Sequence, residues 1–300
     1  MSFSSDAKAE LCQLRIDKKS VAAAECYGVL LYASCFSARE ARIITASDAF
    51  AQRLPRLFRR AFSLDFDAVP EAGKGGKKTF LISDRDKLAR VFAAFGADPA
   101  STLTHHVNFG ALEDEGCLEA FVRGAFLAGG SVTDPDKRFH LELATAHQSV
   151  SREVYTLLLD MGFSPRETKR AGNALLYFKQ ADAIADFFTA IGAPSTAMGV
   201  MTAKVEKEMR NTVTRQINCD SANADKTVAA AQEQLAAIRR IVKDYSSLDV
   251  LPETLKDAAL LRITNPEASL ADLAELSFPK VSKSCLSHRL KKLMNYTPET

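Results

Sequence analysis

The chain has 300 residues, of which 47% are hydrophobic and 25% charged, with a formal net charge of +2. This composition excludes a disordered chain, and no apolar run reaches the roughly 18 residues that a membrane helix needs. It also excludes a globally basic protein, so a surface for nucleic acid would require local clusters of Lys and Arg. The first 20 residues lack the apolar run of a secretory signal, and we expect a cytoplasmic protein.

The first 193 residues contain one pattern twice. The segment 28–34 (GVLLYAS) corresponds to 124–130 (GAFLAGG), and 92–97 (FAAFGA) corresponds to 188–193 (FTAIGA). The offset is 96 residues at both ends (124 minus 28, and 188 minus 92). Thr45 and Thr145 also correspond, with a small shift between the copies. Agreement at the ends with slippage between them is typical of a duplication with loop insertions.

Each copy is predicted to run helix, strand pair, helix, strand pair, helix. The copies cover residues 1–97 and 98–193, and a Gly/Lys-rich hairpin turn is expected at 73–78. In the second copy we predict helices at 118–129, 149–161 and 181–191, strands at 139–145 and 174–178, and a turn at 133–136.

Small residues lie on the first helix of each copy, among them Gly28 and Gly124. They would let two helix backbones approach closely where the copies pair. This arrangement resembles the LAGLIDADG homing-endonuclease fold, in which two such helices form a pseudo-twofold interface and the sheets form a saddle over DNA.

In the LAGLIDADG family an acidic residue near each of these helix ends binds the catalytic metal. The corresponding positions here are Ala33 and Gly129, which have no oxygen-bearing side chain for a divalent cation. Asp134 and Asp136 lie beyond the turn and are interpreted as turn formers. We therefore expect no catalytic residue, no metal site and no cofactor in the duplicated domain.

The cysteines suggest neither a zinc site nor a redox pair. The chain has no CxxC spacing, and its His residues complete no metal-ligand pattern. We expect reduced thiols at Cys12, Cys26, Cys35, Cys117, Cys219 and Cys285.

Residues 194–226 form a polar connector, for which two interpretations stay open. One is a solvated helical link between domains. The other is a DNA-contacting arm in which Arg210, Asn211, Arg215 and Asn218 donate to phosphates and base edges.

The remaining residues, 227–300, are predicted to form an all-α domain, so that the fold class of the chain is α+β. A helix at 227–243 carries an apolar stripe of Val228, Ala231, Leu235, Ile238 and Val242, which we expect to pack on the rest of the domain.

The end of this domain has the pattern of a helix-turn-helix. A helix at 251–263 cannot continue past Pro266. Ser269 then caps a short helix, with Asp272 completing a capping box. Phe278-Pro279 ends that helix, and Ser282 caps a last one that runs to about residue 293. Two short helices joined by a brief turn place the second in the major groove of DNA.

The last helix separates apolar from polar residues. Leu286, Leu290 and Leu293 line one side, while Ser284, His288, Lys291 and Asn295 line the other. We expect His288 and Lys291 to read bases, and Lys283, Arg289 and Lys292 to contact phosphate. The full set of candidate DNA contacts in this domain is Ser269, Lys280, Ser282, Lys283, Ser284, Ser287, His288, Arg289, Lys291 and Lys292.

Together these features resemble the WhiA family. The resemblance covers the duplication, the Arg/Asn-rich connector, and most specifically the terminal segment from Ser269-Leu-Ala-Asp-Leu-Ala-Glu to Ser-Lys-Ser-Cys-Leu-Ser-His-Arg-Leu290. It implies a nucleoid-associated bacterial protein that binds double-stranded DNA and regulates transcription in cell division, chromosome segregation and, in some relatives, sporulation. RNA polymerase or a sigma factor is a further candidate partner.

Two other functions compete with this hypothesis. One is a protein-interaction adaptor whose helix-turn-helix contacts RNA polymerase or a division factor; steep weakening of DNA binding with salt would exclude it. The other is an active homing endonuclease, which Ala33 and Gly129 argue against.

Overall fold

The computed structural model describes residues 2–71, 76–99 and 104–297. The chain divides into two compact units, Met1–Glu208 and Met209–Thr300. Residues 73–75 of the expected hairpin turn lie outside the described residues.

The first unit contains the duplicated pattern. Its first copy consists of α1 (Phe3–Cys12), α2 (Lys19–Leu31), β1 (Cys35–Phe36), β2 (Ala41–Thr45), α3 (Asp48–Phe62), β3 (Lys78–Ile82) and α4 (Arg85–Ala94). The second copy consists of α5 (Cys117–Gly129), β4 (Gly130–Val132), β5 (Leu141–Thr145), α6 (Gln148–Asp160), β6 (Arg166–Arg170), β7 (Asn173–Phe178) and α7 (Ala181–Ile191). The helices predicted for the second copy are confirmed to within one residue at each end.

Local details repeat between the copies as the sequence predicts. Helices α4 and α7 begin 96 residues apart (181 minus 85). Thr45 and Thr145 each end a strand, and each hydroxyl accepts a hydrogen bond from the N–H two residues further on, from Ser47 at 3.0 Å and His147 at 3.2 Å. The strand-to-helix junction is therefore built in the same way twice.

The first copy has a smaller sheet than the second. Strands β1, β2 and β3 form one antiparallel sheet in that order, whereas the other sheet has the order β4-β5-β7-β6. The prediction of two strand pairs was therefore wrong for the first copy in its described part, where only Ala68 bridges to Leu81. Pro70 has no N–H to extend that pairing, and the Asp67 carboxylate instead accepts hydrogen bonds from the N–H groups of Ser83 and Asp84.

Helices α2 and α5 cross at two glycines, which confirms the predicted close approach. A Cβ atom on Gly28 would lie 2.0 Å from the Phe121 carbonyl oxygen, and one on Gly124 would lie 2.0 Å from the Glu25 carbonyl oxygen. No other residue type fits either position without moving the backbones apart. Each glycine therefore lets the helix of one copy pack directly on the backbone of the other.

A buried ion-pair cluster joins the copies beside this crossing, and sequence analysis did not predict it. The Glu25 carboxylate on α2 accepts two hydrogen bonds from the Arg53 guanidinium on α3, at 2.6 and 2.8 Å. It accepts a third from Arg123 Nε on α5, at 3.0 Å. Arg123 also donates to the Ile191 carbonyl oxygen at 3.1 Å. All three charged side chains lie in the core, where removal of the Glu25 carboxylate would leave two buried guanidinium groups without an anionic partner.

Helix α8 (Pro194–Tyr245) is one continuous helix that the unit boundary divides. The chain has neither Gly nor Pro between residues 200 and 245, so nothing in that segment interrupts helical geometry. The predicted connector 194–226 is thus helical and continuous with the helix predicted after residue 226. Every residue from 208 to 226 is exposed. No helix within the described residues has the length and apolar character to cross a membrane.

The second unit packs α9 (Glu253–Thr264), α10 (Leu270–Leu276) and α11 (Lys283–Met294) with the end of α8. Its core includes Ile238, Ile241, Leu251, Leu255, Leu273, Leu286, Leu290 and Leu293. The predicted stripe on α8 was wrong in part, because Val228 and Val242 are exposed. The buried residues at 231, 234, 238 and 241 follow one helix face, and Ile238 and Ile241 on that face pack with residues of the three short helices.

Candidate nucleic-acid interface

Helices α10 and α11 form the predicted helix-turn-helix. At the start of α10, the Ser269 hydroxyl accepts a hydrogen bond from the Asp272 N–H at 3.3 Å, and the Asp272 carboxylate accepts one from the Ser269 N–H at 3.1 Å. The hydrogen bonds from the Ser269 hydroxyl and N–H lower the pKa of Asp272 below its ordinary value. The predicted capping box is confirmed, and the Ser269 side chain has a structural partner.

Helix α11 begins where the sequence predicts. The Ser282 hydroxyl accepts a hydrogen bond from the Cys285 N–H at 3.2 Å and lies 3.0 Å from the Ser284 hydroxyl. Leu286, Leu290 and Leu293 are at most 1% exposed. This apolar side fixes which residues of the helix turn outward.

The outward side of α11 is polar and basic, as predicted. Ser284, His288, Lys291 and Asn295 are exposed on it. Between residues 280 and 292 the chain has five Lys or Arg residues and no Asp or Glu. The remaining candidates divide by exposure: Lys280, Ser282, Lys283 and Lys292 are exposed, whereas Ser287 and Arg289 are half-buried on the flanks.

The loop in front of α10 depends on Arg262, a residue that sequence analysis missed. Its side chain is 2% exposed, and Nη1 donates to the Ala268 carbonyl oxygen at 2.7 Å. Burial lowers the pKa of Arg262. The signal was present in the sequence, because Arg262 follows Leu255 and Ala259 at the spacing of one helix face. Its guanidinium holds the backbone immediately before the Ser269 cap.

Both halves of the chain match known protein families. Residues 118–210 match the WhiA LAGLIDADG-like domain, and residues 213–297 match the WhiA C-terminal HTH domain. The probable cell division protein WhiA of Ruminiclostridium cellulolyticum is 33% identical over 301 residues, covering 98% of this chain and 96% of that protein. The chain belongs to the WhiA family.

Other WhiA proteins are similar over their whole length. The probable cell division protein WhiA of Clostridium novyi is 30% identical, covering 100% of this chain and 98% of that protein. Full-length WhiA from Thermotoga maritima has a crystal structure similar to this one, with a TM-score of 0.59 at 24% identity, covering 98% of this chain and 97% of that chain. These likenesses confirm the fold class, an N-terminal LAGLIDADG-like domain followed by a helix-turn-helix.

In the LAGLIDADG family a metal ligand stands near the end of each interface helix. In this WhiA chain one of the two corresponding positions, Gly129, has no room for such a side chain. A Cβ atom on Gly129 would lie 2.4 Å from the Ala144 carbonyl oxygen and 2.8 Å from the Tyr32 ring. Ala33 follows the end of α2. Asp134 forms a turn, as predicted, since its carboxylate accepts a hydrogen bond from the Asp136 N–H at 3.0 Å.

The connector candidates lie where the two WhiA domain matches meet. Arg210, Asn211, Arg215 and Asn218 are all exposed on α8. Asn211, Arg215 and Asn218 follow one another at intervals of four and three residues, so they share one face of the helix.

Proposed function

We propose that this WhiA-family protein is a non-catalytic, sequence-specific DNA-binding regulator of transcription that acts in cell division and chromosome segregation. The outward face of α11 carries the proposal, because it is exposed, basic and free of acidic residues, while its opposite face is fixed by a leucine core. The curated relatives, each named as a probable cell division protein, support the cellular role.

In the proposed complex α11 lies in the major groove of DNA. His288 and Lys291 face directly away from the leucine core and read base edges. Arg289 turns toward a flank and, with Lys283 and Lys292, contacts phosphate. Ser282, Ser284 and Ser287 line the amino-terminal half of the helix, where backbone N–H groups and hydroxyls favour phosphate oxygens. Lys280 and Ser269 extend this contact to the turn and to α10.

We also propose that α8 supplies a second DNA contact. Asn211, Arg215 and Asn218 present amide and guanidinium groups on one exposed helix face, with Arg210 beside it. Both side-chain types suit phosphate and base edges. An Arg215→Ala variant should therefore bind all duplexes more weakly and show a smaller salt dependence.

The test uses the full chain and three variants: His288→Ala, Lys291→Ala and Lys292→Ala. Binding is measured to a duplex selected from a random pool by the parent protein and to a mixed-sequence duplex, over a series of salt concentrations. Losing a base-reading residue should cost about 1–3 kcal/mol on the selected duplex and little on the mixed one. Losing Lys292 should weaken both equally and reduce the salt slope by about one.

Lys256→Ala is the matched control, because Lys256 lies on α9 and its charge is already paired with Asp249 at 2.5 Å. If His288→Ala and Lys291→Ala fold normally and bind like the parent, α11 is not the reader. DNA binding that does not weaken with salt would instead favour the protein-interaction adaptor.

The absence of catalysis is tested with plasmid DNA and Mg²⁺ or Mn²⁺. We expect no site-specific cleavage, because Gly129 and Ala33 offer no carboxylate at the helix ends. Specific cuts that disappear on addition of EDTA would show that the domain is still a nuclease.

A further inference from the structure

Phe278 lies in the turn between α10 and α11 and is 96% exposed. Hydrogen bonds of the Ser277 hydroxyl stabilise this turn, and the Phe278 ring takes no part in them. The Ser277 hydroxyl donates to the Ala274 carbonyl oxygen at 2.7 Å and accepts from the Val281 N–H at 3.0 Å. A nearly fully exposed ring that the hydrogen bonds of its own turn do not require is free to contact a partner.

The position of this ring relative to α11 is defined by a cavity of about 260 Å³. Phe278 and Pro279 form one side of the cavity, Leu286 and Arg289 of α11 form a second, and residues of α9, including Leu261, form the third. Phe278 therefore lies on the Arg289 flank of α11, four residues before the Ser282 cap, and not on the side that carries His288 and Lys291.

The charges around the ring indicate what it meets. Lys280 and Lys283 follow it in the chain and are exposed, and Arg289 shares its cavity. No Asp or Glu occurs between residues 276 and 297, although Asp257 lies on the α9 side of the cavity. A ring bordered by cations matches the DNA backbone, where apolar deoxyribose faces alternate with phosphates.

We propose that Phe278 packs against deoxyribose on the strand whose phosphates Arg289 and Lys280 contact. The contact is apolar and independent of base sequence, and it sets the depth and angle at which α11 enters the groove. This inference rests on the proposed function, since it requires that α11 is the reader.

An apolar contact and an ionic contact differ in their response to salt, which provides the test. Phe278→Ala in the full chain should lower affinity about tenfold for the selected and the mixed-sequence duplex alike, with the salt slope unchanged. Phe278→Leu should retain most of the affinity. Lys280→Ala should also weaken both duplexes, but with a salt slope smaller by about one.

Leu260→Ala is the matched control, because Leu260 lines the same cavity from α9 and is 46% exposed. It should bind both duplexes like the parent, and circular dichroism should show every variant folded. Parent-like binding by Phe278→Ala, including the case in which the ring serves a protein partner, overturns the inference but leaves the proposed function intact. Equal losses in Phe278→Ala and Leu260→Ala overturn it too. A parent protein that binds no duplex overturns both.

Discussion

In the first unit three charged side chains meet in the core, whereas in the second unit the basic side chains lie on the outward side and flanks of α11 and in the turn before it. Glu25, Arg53 and Arg123 satisfy one another and the neighbouring backbone, and they hold the two copies together. The basic residues from 280 to 292 have no acidic neighbour in sequence and remain available to an external anion. The first unit therefore buries these charges in internal pairs, whereas the second unit exposes most of its basic side chains on and beside α11, where we propose that they contact DNA.

The two units also differ at the positions where their folds usually place functional side chains. At the interface helices of the first unit, the Ala144 carbonyl oxygen and the Tyr32 ring crowd the Gly129 position and exclude even a methyl group. In the amino-terminal half of α11 in the second unit, Lys283, Ser284 and His288 are exposed, and the Ser282 hydroxyl caps the Cys285 N–H. The helix-end position at Gly129 therefore has no space for a longer side chain, whereas the polar side of α11 is accessible to solvent.

The largest effect is expected from Glu25→Gln. This change leaves two buried guanidinium groups without their carboxylate, and removal of one partner from such a cluster costs about 3–5 kcal/mol. Urea unfolding followed by circular dichroism should show a lower midpoint for the first unit. Asp182→Asn, which breaks the exposed pair with Lys204, should unfold like the parent. A parent-like midpoint for Glu25→Gln would show that the cluster does not hold the copies together.

A smaller loss, confined to the second unit, is expected from Leu290→Ala. Leu290 is fully buried, and the cavity left by its truncation should cost about 2–5 kcal/mol. DNA binding should fail with the fold, unlike in His288→Ala, where only affinity changes. Leu276→Ala should have little effect on stability, because Leu276 is 58% exposed. Simultaneous unfolding of the first unit in Leu290→Ala would contradict the expectation that the loss is confined to the second unit.

The smallest effect concerns acid stability in the first unit. Burial acts to raise the pKa of Asp67, but hydrogen bonds from Lys87 and from the Ser83 and Asp84 N–H groups outweigh it and lower the pKa from 3.8 to about 2. Because the folded pKa lies below the unfolded one, this stabilisation is complete above about pH 4 and is lost as the pH falls toward 2. Asp67→Asn should therefore be less stable than the parent at neutral pH.

The pH profile of this variant gives the check. Unfolding midpoints of Asp67→Asn and parent should converge between pH 4 and pH 2, whereas Asp65→Asn, whose carboxylate is 67% exposed, should follow the parent throughout. A constant difference between Asp67→Asn and parent at every pH would show that the carboxylate charge is not what stabilises this loop.

The sequence by itself determined the features that depend on neighbours within a few residues. The capping serines 269 and 282, the leucine face of α11 and the two glycine-containing helices could all be predicted, because capping and helical periodicity are local properties. The offset of 96 residues located the second copy without any knowledge of its packing.

Tertiary structure alone decided the features that bring distant segments together. Residues 25, 53 and 123 have no sequence relation that marks them as a cluster, since each charge would be ordinary on a solvated helix. The buried face of α8 and the bridge between Ala68 and Leu81 depend in the same way on what packs or pairs against them. The lack of space for a side chain at Gly129 is decided by Tyr32, which follows α2 of the other copy, and by Ala144 on β5. Periodicity shows which residues share a face, but only the partner that packs there decides which face is buried and which charge is paired.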